Sequence, residues 1–345
     1  MVNTNRKIVI LSCRSGRIFA ERICEHLKGK YGYESVLGNI RIKEFANKEI
    51  NPTIEESVRG KSIYIVQNID DPNSDRKPQE NFDELLNLID AARRSVGING
   101  SVSVVMPNYY KARQHKSTKR ESIAARMTAD ILKNAGANAI LCIDIHDEAI
   151  AGYFTDVKFD NLHASGAIID YLRRELFDFI NYEIEENGEK ICGFSVASPD
   201  VGSAKKAKYY AKILKSGLII CAKFRDEDKP NAVDKILLLG DVNGNNIFVV
   251  DDMIDTGGTI KEILYELKKN NAKDIYVGCT HPIFSGPAIE RLTELYNKGI
   301  IKGVIGTDTV IHENKPEWYH EVSVAPLFGD VIYRIENNMS VSDII

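Results

Sequence analysis

Apolar residues along the chain gather in short, nearly unbroken runs. The first group is KIVILS (Lys7–Ser12), SIYIVQ (Ser62–Gln67), SVSVVMP (Ser101–Pro107) and AILCIDI (Ala139–Ile145). A second group follows: GFSVASP (Gly193–Pro199), GLIICAK (Gly217–Lys223), NIFVVDD (Asn246–Asp252) and DIYVGCT (Asp274–Thr280). Runs of this kind, rich in β-branched residues and with few polar alternations, predict strands covered on both faces. Between them, FAERICEHLKGK, NFDELLNLIDAARRS, ESIAARMTADILKNAG and GTIKEILYELKKNNA carry apolar residues at helical spacing. Two of these segments end near Gly or Asn, as helix C-termini do. Strand and helix in alternation predict an α/β fold of right-handed crossovers and parallel sheets. The pattern occurs twice. An early half ends near FTDVKFDN (Phe154–Asn161), and a later one restarts at HASGAIIDYLRRELFDFI. INYEIEENGEKI (Ile180–Ile191) is polar and reads as a surface excursion before a strand, while SDRKPQEN and QHKSTKRES read as charged loops.

Length supports the doubling: 345 residues suggest two domains at roughly 150 residues each. The 43% hydrophobic and 27% charged content is that of an ordinary globular chain. A net charge of -4 creates no strong field for nucleic acid or anionic lipid, so neither is an expected partner. No apolar run approaches the roughly 18 residues of a membrane span. The six cysteines, Cys13, Cys24, Cys142, Cys192, Cys221 and Cys279, form no CxxC pair and mostly sit in strand-like runs. They read as reduced, buried thiols of a cytoplasmic protein.

The stretch IFVVDDMIDTGGTI (Ile247–Ile260) carries the most chemistry. The strand residues Ile247–Val250 should deliver Asp251 and Asp252 to the C-terminal edge of a sheet, where open α/β sheets bind ligands. Asp255, Thr256, Gly257, Gly258 and Thr259 then open a helix. Its bare N–H groups and two hydroxyls suit a phosphate monoester. The two leading carboxylates would repel phosphate but suit a vicinal diol and a divalent cation. A sugar phosphate satisfies both demands. A plain strand–helix turn with solvated acids is the alternative, and the loop lacks a Walker lysine.

VVDDMIDTGGT resembles the phosphoribosyl pyrophosphate (PRPP) motif of type I phosphoribosyltransferases. That motif alone does not choose among a PRPP-consuming transferase, a regulatory protein and a PRPP-making enzyme. VMPNYYKARQHK (Val105–Lys116), CIDIHDEAIAGYF (Cys142–Phe154), SPDVGSAKKA (Ser198–Ala207) and THPIFSGPAIERL (Thr280–Leu292) resemble the ribose-phosphate pyrophosphokinase family, in order along nearly the whole chain. The resemblance implies two type I phosphoribosyltransferase-like domains, each a mainly parallel sheet flanked by helices. Residues 1–160 would form an N-terminal domain with the ATP-side contacts and residues 161–330 a C-terminal domain with the PRPP loop. Residues 331–345 would be a tail packing back on the first domain.

The implied reaction moves the pyrophosphoryl group of ATP to the C1 hydroxyl of ribose 5-phosphate, with Mg²⁺ as cofactor. Asp255–Thr259 would bind the 5-phosphate, and Asp251 and Asp252 the ribose diol and a cation. Lys223 and Arg225 would close over the migrating group, Arg225 also touching the sugar phosphate; Phe224 between them stands where many members have Arg. Arg113 and Gln114 would hold the triphosphate. His146 would contact ATP phosphate and metal, although a lone histidine ending a strand is by itself more often packed. Asp200 would be the second metal position, against a simple turn-forming role after Pro199. Phe45, Asn47 and Glu49 would reach a neighbour's adenine, against the plain reading of a surface hairpin. Asn47, Lys111 and His115 depart from the family's common aspartate, aromatic and aspartate. They keep open a catalytically weak regulatory subunit as an alternative, beside a PRPP-consuming phosphoribosyltransferase. The acids near the diol and His146 both stand as candidate general bases. Self-association as a hexamer or another dimer-based homo-oligomer is implied by the resemblance alone.

Overall fold

A computed structural model describes residues 8–34, 36–186, 189–224, 235–342 and 344. The described residues fall into two compact units. The first is drawn from Met1–His163, Asp308–Ile311 and Ser323–Ile345, the second from Ala164–Thr307 and His312–Val322.

The first unit begins β1 (Ile8–Ser12), α1 (Arg17–Tyr31), β2 (Ile40–Glu44), β3 (Ile50–Ile54), β4 (Ser62–Val66), α2 (Pro78–Val96), β5 (Ser101–Val105), α3 (Ala124–Ala135), β6 (Ala139–Ile143) and β7 (Lys158–Leu162). Strands β1-β4-β5-β6-β7 lie in that order, parallel throughout. Both faces are covered, which is why the strands lack polar alternation. Val9, Leu11, Ile63, Ile65, Val102 and Val104 pack with Leu85, Leu88, Ile89 and Ala92 of α2. β2 and β3 form a separate antiparallel hairpin.

The second unit contributes α4 (Ser165–Glu175), α5 (Phe177–Ile180), the antiparallel pair β8 (Glu183–Glu186) and β9 (Glu189–Cys192), β10 (Phe194–Ser198), α6 (Ala204–Leu214), β11 (Gly217–Phe224) and β12 (Lys235–Leu239). It continues with β13 (Asn246–Ile254), α7 (Gly258–Lys269), β14 (Ile275–Pro282), α8 (Ala288–Asn297), β15 (Gly303–Thr307) and β16 (Tyr319–Val322). The sheet order is β12-β11-β10-β13-β14-β15-β16, parallel except for the antiparallel edge pair β11–β12. On one face Phe248 of β13 meets Tyr210 of α6, ring centroids 5.9 Å apart. A Cβ at Gly278 of β14 would stand 2.3 Å from Phe248 Cζ, so this ring needs glycine beside it. On the other face Ile247 and Val249 pack with Ile263, Leu264 and Leu267 of α7 and Leu292 and Leu295 of α8.

The chain then returns to the first unit. Arg22 Nη1 donates to Asp308 Oδ2 at 2.7 Å, and Asn68 Nδ2 to Thr309 O at 2.9 Å. The last helix, α9 (Ala325–Glu336), lies on α1: Phe19 and Phe328 meet edge to face at 5.3 Å, and Tyr31 stacks on Tyr333 at 3.6 Å.

The strand expected at Asn246–Asp252 is present and runs two residues further, to Ile254, with Asp251 in register with Cys279 of β14. The pairing with β14, which itself extends to Pro282, holds the added residues there. The expectation of uniformly buried cysteines holds for Cys13, Cys142, Cys221 and Cys279. Cys24, on α1, is half-buried and Cys192 is exposed.

Candidate active site

In the second unit the expected residues lie at the C-terminal ends of neighbouring strands. Asp200 follows β10, Asp251 and Asp252 lie near the end of β13, and Lys223 lies near the end of β11. Ser203, just before α6, joins two of the acids: its N–H donates to Asp200 Oδ1 and its hydroxyl to Asp251 Oδ1, both at 2.8 Å. The backbone N–H of Asp252 also donates to Asp251 Oδ1, at 2.9 Å, and that of Met253 to Asp252 Oδ1, at 2.8 Å. Part of Asp251 reaches solvent, but its carboxyl group is crowded. Burial first, and the Asp252 charge second, push its carboxyl above the ordinary range, while the Ser203 hydroxyl works in the opposite direction.

The loop after β13 has the features of an anion seat. Gly257 has φ +70°, a left-handed conformation that L side chains rarely adopt, and it leads directly into α7. The exposed Thr256 and Thr259 flank Gly257 and Gly258, and Asp255 is half-buried. Arg291 of α8, which sequence reasoning missed, donates from Nη1 to Thr256 O at 2.8 Å and so steadies the loop. Lys223 Nζ donates to Glu262 Oε2 of α7 at 2.6 Å. Arg225 lies outside the described residues.

In the first unit, Arg113 and Gln114 occupy an exposed turn between β5 and α3. Gln114 N–H donates to Lys111 O at 2.9 Å, and Lys111 itself has φ +60°. His146 is exposed three residues beyond β6, the strand beside β5. The His115 ring meets His146 edge to face at 5.6 Å, so the two loops come together. His115 is itself buried. Its Nε2 lies 2.9 Å from Asp147 Oδ2, close enough to pair when protonated though off the line of a hydrogen bond. Asp147 also caps the short turn Glu148–Tyr153, accepting from Ala149 N–H at 2.9 Å. Asp144, at φ +45°, places its Oδ1 3.1 Å from His163 Nδ1.

Phe45, Asn47 and Glu49 are exposed at the tip of the β2–β3 hairpin. Asn47 Oδ1 accepts from Glu49 N–H at 3.2 Å, a local turn bond typical of Asn and Asp. Lys43 Nζ sits 4.6 Å over the Phe45 ring, and Arg14 holds Glu44 at 3.3 Å at the root of the tip. Ser203, Glu262, Arg291 and Asp147 were not singled out in the sequence. Ser203, Asp147 and Arg291 fall inside the family-like stretches SPDVGSAKKA, CIDIHDEAIAGYF and THPIFSGPAIERL, whereas Glu262 lies outside them.

Among the described residues no three His, Cys, Asp or Glu side chains group as a metal cage, and no helix is long and apolar enough to cross a membrane.

Residues 8–136 match the model of the N-terminal domain of ribose phosphate pyrophosphokinase, and residues 222–345 match the phosphoribosyl synthetase-associated domain. Ribose-phosphate pyrophosphokinase 2 of Enterococcus faecalis is 36% identical over 97% of this chain and 95% of its own. The ribose-phosphate pyrophosphokinase of Chlorobaculum tepidum is also 36% identical, over 97% and 94%. The solved phosphoribosylpyrophosphate synthetase of Mycobacterium smegmatis superposes with TM-score 0.81 at 28% identity, covering 96% of this chain and 99% of that one. Both the β13 loop and the loops after β5 and β6 thus lie within a likeness that runs nearly end to end, and the chain belongs to the ribose-phosphate pyrophosphokinase family.

Proposed function

We propose that the chain transfers the pyrophosphoryl group of ATP to the C1 hydroxyl of ribose 5-phosphate, giving PRPP and AMP. The observation that carries this reading is the union of Asp200 and Asp251 through Ser203, beside a helix that opens on Gly257 and Gly258. An anion seat and a carboxylate cluster in one sheet edge suit the two ends of a sugar phosphate.

In this reading the loop Asp255–Thr259 takes the 5-phosphate on its N–H groups and threonine hydroxyls. Asp251 and Asp252 orient the ribose hydroxyls. Arg113, Gln114 and His146 bind the triphosphate. Lys223 and Arg225 neutralise charge on the group in transit, where phosphoryl-type transfer needs positioning and charge stabilisation rather than covalent help. The C1 hydroxyl gives its proton to a base, for which the acids near the diol and His146 are the candidates, and its oxygen bonds to the β-phosphorus; the bond from that phosphorus to the α,β-bridging oxygen breaks, and AMP leaves with that electron pair.

The donor set fits Mg²⁺. Asp200 and Asp251 offer hard carboxylate oxygens, and Mg²⁺ keeps several waters and substrate oxygens, so it does not require a full protein cage. Asp251 and Asp252 would help hold one ion; Asp200 and, through water or phosphate, His146 are the candidate contacts of a second. When bound, Mg²⁺ supplies charge neutralisation for the phosphate oxygens. The exposed tip carrying Phe45, Asn47 and Glu49 serves the adenine site of a second copy, which makes the working form a homo-oligomer.

The test is AMP release from ATP and ribose 5-phosphate with Mg²⁺. AMP that appears only when both substrates are present supports the reading. A folded protein that makes none would instead be a regulatory subunit.

A further inference from the structure

β11 brings Lys223 to the sheet edge beside β10, and there its amine already has an anion. Lys223 Nζ donates to Glu262 Oε2 at 2.6 Å, and the two side chains are 24% and 55% exposed. Glu262 belongs to α7, whose first residue is Gly258. Positions four apart share a helix face. Glu262 therefore stands below Gly258, about one 5.4 Å turn from the helix N-terminus that the loop opens. The amine is held next to the proposed seat of the sugar phosphate, by a carboxylate that has no part in that seat. An ion pair with one half-exposed member is weak and easily exchanged.

We propose that Glu262 is a resident competitor for Lys223: it holds the amine while the site is empty and releases it to the nucleotide's polyphosphate, thereby setting the affinity for that substrate. The inference rests on the reading of Lys223 given above. One carboxylate charge is displaced by the several charges of a triphosphate, and the exchange gains as the bound substrate excludes water. Glu262 is thus an affinity-determining residue rather than a catalytic one.

Steady-state kinetics of the full chain test this, with ATP varied at saturating ribose 5-phosphate and Mg²⁺, at low and at raised KCl. Glu262→Gln and Glu262→Ala should each lower KM for ATP by about two- to fivefold, the scale of an exposed ion pair. Their kcat should not fall, and the difference should shrink as salt screens the pair. Calorimetric binding of a non-hydrolysable ATP analogue should tighten by the same factor. Adding Glu262→Gln to Lys223→Ala should change KM no further, because the competitor then has nothing to hold. An unchanged KM and analogue affinity in both Glu262 variants would overturn the inference. So would a fall in kcat at constant KM, which would make Glu262 a positioning group for the lysine in the reaction itself. Normal turnover in Lys223→Ala would remove the reading of Lys223 instead. An inactive Lys223→Ala beside silent Glu262 variants would remove only the competitor.

Discussion

The Ser203 hydroxyl donates to Asp251 Oδ1 at 2.8 Å across 48 residues of sequence, while the same residue's N–H holds Asp200. A serine just before one helix thus sets the positions of two carboxylates, one in the turn after β10 and one on β13. The bond also favours the charged form of an acid whose proton affinity burial and Asp252 raise.

Ser203→Ala should therefore weaken ribose 5-phosphate use. Losing a hydrogen bond to a charged group costs about 1.5–3 kcal/mol, or roughly 10- to 100-fold in kcat/KM. The sign of the pH effect follows. Without the hydroxyl the neutral acid is favoured, the Asp251 carboxyl rises further, and the acid limb of the kcat/KM profile for ribose 5-phosphate moves to higher pH. A profile that keeps its acid limb in place would show that ionised Asp251 is not what the substrate requires.

Lys223→Ala should cut AMP formation at least about a hundredfold while leaving ribose 5-phosphate binding largely intact, since one charged donor to a reacting group is worth about 3–4 kcal/mol. Rapid-quench measurement of AMP beside calorimetry with ribose 5-phosphate separates the two effects.

Gly257→Ala adds a methyl group with space around it, the nearest atoms being 3.9 Å away. The obstacle is the backbone at φ +70°, which costs an L-residue about 1–2 kcal/mol. The loop should relax away from its seat and raise KM for ribose 5-phosphate by about tenfold, with circular dichroism unchanged. A wild-type KM would detach the loop's left-handed turn from phosphate binding.

Asp330 ties α9 to α1. It meets His26 Nε2 at 2.5 Å, Lys30 Nζ at 2.9 Å and Tyr31 Oη at 2.9 Å. Burial opposes its charge, but these three bonds outweigh burial and hold its carboxyl below the ordinary range. A depressed carboxyl stabilises the fold above its unfolded value near 3.9 and loses that contribution as pH falls through the lower folded value. Asp330→Asn should lower Tm by about 2–6 °C at neutral pH. The difference should shrink only as pH falls through the folded value, which lies below the ordinary carboxylate range, because the wild-type carboxyl is then protonated too. Thermal melts from neutral pH downward check both statements.

Much of the fold was legible because parallel strands buried on both faces leave unbroken apolar runs. The runs at Ser62–Gln67 and Asn246–Asp252 became β4 and β13. β7, β12, β15 and β16 were not picked out. Each lies at or near a sheet edge, and β7 (KFDNL) and β16 (YHEV) interleave polar and charged residues, so they form no unbroken apolar run. The glycine loop was legible because its chemistry is contiguous: Asp255–Thr259 are neighbours in sequence and in space. Glu262 and Arg291 were not, since a single charged residue on a helix looks like any solvated position until its partner is known.

Sequence by itself determined the local elements, the duplicated α/β pattern and the acid-plus-glycine loop, because side-chain periodicity and turn chemistry act over a few residues. Tertiary structure alone decided that Ser203 meets Asp251, that Lys223 meets Glu262 across 39 residues, that His115 lies against His146, and that α9 closes on α1. Those pairings depend on strand order and on which helix face turns inward. Both are set by the collective burial of the sheets, and no short window of sequence contains them.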